Sequence, residues 1–127
     1  MAGLDLKSGP AAATAGLEVL TGATLFVAPS LAARLLFGSD MNASGDAVGR
    51  IAGLVMLCLA AGCFPRANSA PPLAPLLALS VLAVIFLVFV GLQGATVGVL
   101  LWPAAALHLI LAVLVARALM ASQGAAG

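Results

Sequence analysis

An all-α fold is predicted: four membrane-spanning helices, packed up-down-up-down as a bundle in one domain over residues 1–127. Three observations predict it. The chain is 64% apolar and 7% charged, where soluble domains average about 45–50% and about 25%. Four apolar stretches each reach the roughly 20 residues that a span requires. Short breaks rich in Gly, Pro or polar residues separate them. A water-soluble domain of this size has too much surface for its volume to hide so many apolar side chains. A bilayer removes that demand. It also requires each span to satisfy its own backbone hydrogen bonds, which selects helices, and barrel-like alternation is missing.

The first helix is expected at about 11–37, containing Glu18, with Pro29 bending it. The second is expected at about 45–64, ended by Pro65 and held back from the third by Pro71 and Pro72. The third, about 73–92, carries no charge, and neither does the apolar body of the fourth, which runs from about 96 to Arg117. The last two cannot be one helix, because residues 73–116 would measure about 66 Å at helical rise. That is about twice the hydrocarbon thickness. The turn is placed at Gly91–Gly94, where two glycines relax the backbone. Ser39–Ser44 should form the first loop, and Ser122–Gly127 a disordered tail.

Several functions are disfavoured by what the chain contains. A net charge of +1 leaves no footprint for nucleic acid and no basic run for anionic lipid. The start of the chain lacks the basic region of a secretory signal, and the first apolar stretch is too long for one. Cys58 and Cys63 lie five apart and face apart by about 140°. They form neither a metal pair nor a redox CxxC motif. No nucleophile motif, phosphate loop or second carboxylate is present, so no catalytic residue, cofactor or metal site is assigned. The expectation is a protein that is not an enzyme.

Small residues mark the packing faces. Gly45, Gly49 and Gly53 form a double GxxxG run on the second helix, continued by Leu57 and Ala60. Such a stripe admits close helix approach, either within the bundle or between two copies of the chain. Ala11, Thr14, Glu18, Thr21 and Leu25 form a small and polar stripe on the first helix. His108 sits among Ala104, Ala105 and Ala112 on the fourth. Trp102, expected about two turns into that helix, reads as an interface anchor.

Cations set the orientation. With the N-terminus inside, Lys7, Arg66 and Arg117 lie inside, while Arg34 and Arg50 lie outside with Asp40 and Asp46. The positive-inside rule then places both termini in the cytoplasm. Arg34 and Arg50 are expected to pair with Asp40 or Asp46.

Ionisable groups within spans are costly, which makes them candidates for function. Here they are Glu18 and His108. Counted from the inner helix ends, Glu18 lies about 10 Å deep and His108 about 13 Å. Ser80 and Cys58 fall at similar depth, so Glu18, His108, Ser80 and Cys58 form one candidate polar layer. Glu18 and His108 could share a proton, form an ion pair or bind a cation. They could equally form a structural hydrogen bond between helices.

The stretches APSLAARLLFG (28–38), GRIAGLVMLCLAAGC (49–63) and LLWPAAALH (100–108) resemble small uncharacterised four-helix proteins of bacterial inner membranes, DoxX-like in layout. The resemblance implies the four-span fold and no site residues. LEVLTGATL around Glu18 is similar to the first helix of small multidrug-resistance exporters, where a glutamate couples proton and drug binding. The aromatic residues of their drug cavity have no counterpart, because Tyr is absent and the single Trp lies on the fourth helix. The expected function is therefore that of a non-enzymatic accessory or scaffold protein of the inner membrane, serving a larger membrane partner or a homodimer. The alternative is a small proton-coupled transporter using Glu18, with His108.

Overall fold

In the computed structural model, residues 8–65, 70–94 and 97–124 are described. They form five helices: α1 (Ser8–Val27), α2 (Pro29–Phe37), α3 (Ala43–Cys63), α4 (Leu73–Gln93) and α5 (Leu101–Gly124). No strand occurs among the described residues. Four of the helices, α1, α3, α4 and α5, are long and apolar enough to cross a membrane. Their outward faces carry exposed Val48, Ile51 and Val55 on α3, Leu82, Ile85 and Phe89 on α4, and Ile110 and Val113 on α5. A contiguous apolar exterior of this kind is foreign to water-soluble monomers.

The first predicted helix is two helices. Ala28 leaves helical geometry at φ −138° and ψ 65°, and Pro29 begins α2. The proline ring disfavours helical geometry at the residue before it and lacks an N–H, so the sequence predicted a bend where the chain makes a break. Arg50 on α3 answers the exposed carbonyl end of α1 by donating Nη1 to the Phe26 oxygen at 2.8 Å. At the far end of α2, Gly38 takes a left-handed conformation (φ 70°) and returns its N–H to the Arg34 carbonyl. α3 then starts earlier than expected, at Ala43. Asn42 caps it by accepting the Gly45 N–H at 2.8 Å.

The fourth span begins later than predicted. Its expected opening residues 97–100 are not helical; residues 95 and 96 lie outside the described set. Gly98 donates its N–H to the Leu36 carbonyl at 2.9 Å, and Leu100 donates to Leu35 at 2.8 Å. These bonds tie the segment to the end of α2 and postpone α5 until Leu101. Trp102 consequently stands in the first turn of α5, not two turns in. α5 also runs on to Gly124, so Ser122–Gly124 of the expected tail are helical. Ala118, Leu119, Met120 and Ala121 just before them favour helix.

Packing is organised in pairs. α1 lies mainly along α3, and α4 mainly along α5, while α1 also reaches both α4 and α5. The α1–α3 crossing is a backbone contact. A Cβ placed on Gly53 would fall 2.6 Å from the Phe26 nitrogen, and one on Gly22 would fall 2.9 Å from the Gly53 oxygen. Gly49 is likewise pressed against the Pro29 ring. Gly45 meets only its own neighbours Met41 and Asn42. Gly49 and Gly53 are thus taken up inside the chain, against α2 and α1.

Candidate functional site

Two apolar clusters close the ends of the helix assembly. One gathers Ala11, Cys63, Leu73, Leu76, Val115 and Ala118. The other gathers Leu87, Leu101 and Ala105. Along α1, α4 and α5, the positions between them hold Glu18, Ser80 and His108, all buried. Each arrives there by helical spacing. Glu18 follows Ala11, Thr14 and Ala15 on the buried face of α1, Ser80 follows Leu73 and Leu76 on α4, and His108 lies between Ala105 and Ala112 on α5.

Glu18 is 0% exposed and His108 is 8% exposed. Both line one cavity of about 540 Å³ between α1 and the α4–α5 pair. α2 covers one end through Leu35, Leu36 and Phe37. Phe37 meets Phe86 of α4 edge-to-face, with ring centroids 6.3 Å apart. The cavity is not sealed. Leu20, Phe86 and Leu107 line it and are also exposed, so it opens sideways onto the apolar exterior.

The polar atoms here are unsatisfied. Neither carboxyl oxygen of Glu18, nor Nδ1 of His108, nor the Ser80 hydroxyl has a hydrogen-bond partner among the described residues. An unpaired buried polar group costs about 1–3 kcal/mol. Thr14, on the same face of α1, shows the contrast: its hydroxyl donates to the Pro10 carbonyl at 2.8 Å.

The predicted polar layer is therefore brought together in part. Glu18 and His108 share a cavity but no hydrogen bond, so the proton-sharing contact expected from their depths is not made. Ser80 is buried without lining the cavity. Cys58 does not belong with them. It is exposed on the outer side of α3, because matching depth does not give matching face, and α3 turns Gly53 and Ala60 inward. Among the described residues no three of His, Cys, Asp and Glu gather as metal ligands. α2, Phe86 and Met56 also form the wall, roles not expected from the sequence. The one available signal was Pro29, which frees α2 to turn across the cavity end.

A second polar group lies at the α1–α2 break and the α2–α3 connection. Arg34 pairs with Asp40, as expected, and the second arm of that fork, Nη2 to Oδ2, measures 3.0 Å. The guanidinium holds the Asp40 carboxyl below its ordinary range. Asp46 instead accepts from the Ser30 hydroxyl at 2.7 Å. Arg50 serves the Phe26 carbonyl and not an acid. Lys7 and Arg66, two of the three cations expected inside, lie outside the described residues.

Fold and site together define a class: an all-α protein with four helices fit to cross a membrane and a laterally open, acid-bearing cavity among them. Compared with protein-family models, curated proteins and solved structures, the chain matches none.

Proposed function

We propose that this is a multi-pass membrane protein of the bacterial inner membrane that binds a small, largely apolar molecule between its helices, at Glu18 and His108. It acts without catalysis, as a carrier or as a ligand-holding subunit. The observation that carries this reading is the pair of buried, unpartnered ionisable side chains in the wall of one open cavity. Ionisable groups facing an interior cavity mark ligand or ion pathways in membrane proteins. A volume of about 540 Å³ falls within the roughly 300–1,000 Å³ of small-molecule pockets. The sideways opening gives access from the hydrocarbon layer. This favours the Glu18-centred reading over a pure scaffold. Gly49 and Gly53, the best candidates for a contact with a second copy, are already used against α1 and α2. In this reading the four spans run up-down-up-down with both termini in the cytoplasm. C-terminal fusions to green fluorescent protein and alkaline phosphatase test that orientation.

The test of the cavity uses an uncharged photoactivatable alkyl diazirine, added to the protein in liposomes. Adducts should concentrate on the inward Leu17, Leu79 and Leu87, which line the cavity. Adducts confined to outward residues such as Val55 and Ile85 would remove the reading.

A further inference from the structure

The cavity is acidic in a one-sided way. Both carboxyl oxygens of Glu18 and Nδ1 of His108 lack a partner among the described residues. Among the described residues no lysine or arginine lines the cavity. Arg34 is engaged by Asp40 and Arg50 by the Phe26 carbonyl, and Arg117 is exposed on the outer side of α5. Thr24, a polar wall residue, already donates its hydroxyl to the Leu20 carbonyl at 2.8 Å. The site therefore offers acceptors without supplying a cation to match them. Apart from the Thr21 hydroxyl the remaining wall is apolar, with Leu17 and Leu25 from α1 and Leu79 and Leu87 from α4.

We propose that Glu18, with His108 in the same cavity wall, is a binding site for a hydrophobic primary amine, its ammonium held at the carboxylate and its hydrocarbon part filling the apolar cavity. This rests on the ligand-binding reading above and names the ligand's chemistry. A primary ammonium brings three N–H donors, as a lysine head group does, to three unpartnered atoms that can accept. An alcohol of the same length brings one. A carboxylate ligand brings none when ionised, and it would set a second negative charge beside the first without a cation between them. Hydrogen bonds with both partners charged are roughly twice as strong as neutral ones. Attraction between opposite charges also grows as the surroundings become less polar. The mouth formed by Leu20, Phe86 and Leu107 suits a hydrocarbon chain, so an amphipathic amine can enter sideways from a lipid layer.

The experiment compares n-decylamine with n-decanol and n-decanoate on the detergent-purified protein, reading the melting temperature. Decylamine should stabilise the wild type at a concentration about tenfold lower than decanol, the difference one charge-assisted hydrogen bond supplies. Glu18→Gln should abolish that preference, and His108→Gln should weaken it. Should Glu18→Gln fail to fold, labelling of wild-type Glu18 by a hydrophobic carbodiimide gives a second readout, located by mass spectrometry. N,N-dimethyldecylamine, which cannot form an amide and whose ammonium carries one N–H, is then the probe of the charge, matched to decanol in donor number. It should slow the labelling, and decanol should not. Equal stabilisation and protection by decanol or decanoate would overturn the amine assignment and leave cavity binding standing. No effect from any of these compounds, in melting or in labelling, would overturn both.

Discussion

Helix α1 makes two very different contacts one turn apart. At Gly22 it meets α3 so closely that backbone touches backbone, with Gly53 and Phe26 in contact across the crossing. At Glu18, four residues earlier, it stands off from α4 and α5 and leaves a cavity with unpartnered polar atoms. The first contact holds the fold. The second is under-satisfied, which a stability-driven core would not tolerate. One helix thus serves as structural strut and as ligand wall, and the sequence spacing of Gly22 and Glu18 keeps both on its buried side.

The hardest test of that contrast is to break the crossing. Gly53→Leu should cost about 3 kcal/mol or prevent folding, since the added carbon meets backbone that cannot give way. Gly16→Leu, where a Cβ meets nothing within 4 Å, is the matched control and should melt like the wild type. A Gly53→Leu protein that stays folded as a monomer would show that the close approach is dispensable.

The cavity should respond in the opposite direction. Glu18→Met keeps the approximate bulk and removes two unsatisfied oxygens. It should raise stability by about 1–2 kcal/mol in detergent melting while ligand binding disappears. Gain of stability with loss of function is the behaviour of a residue retained for chemistry. A loss of stability would instead mean that Glu18 has a structural partner.

A finer measurement separates shared cavity from direct contact. Because Glu18 and His108 make no hydrogen bond to each other, a double-mutant cycle with Glu18→Gln and His108→Gln should show coupling below about 0.5 kcal/mol without ligand. The direct contact expected from helix depth alone would have given about 0.6 kcal/mol or more. Coupling that appears only with decylamine present would show the two groups meeting through the ligand.

The smallest effect belongs to the surface pair. Asp40 has its folded-state pKa lowered by Arg34. Its contribution is therefore present above the ordinary carboxylate range and fades as pH falls through the lowered value. Both side chains are exposed, so screening leaves little to lose. Arg34→Gln should barely move the melting temperature at pH 7 and should remove whatever acid sensitivity this pair adds.

Composition and segment length were sufficient to mark four long apolar helices, because 20 apolar residues in a row admit few alternatives. The small-residue stripes of α1 and α3 were also legible, since helical periodicity is a local property. Pro29 signalled a disturbance, yet whether a bend or a break followed depended on Arg50 and on the Leu35 and Leu36 carbonyls finding partners elsewhere. The start of α5 was settled the same way, by backbone bonds from Gly98 and Leu100 to a distant segment. Depth along a helix could be counted from the sequence, so Glu18, Ser80 and His108 were placed at one level. Facing could not be counted without knowing which helices pair, and Cys58 at the same level turned outward. The cavity itself was invisible in the sequence. It exists because the α1–α3 and α4–α5 pairs are each tightly packed and α2 turns across the gap between them, a relation among helices that no single stretch of chain encodes.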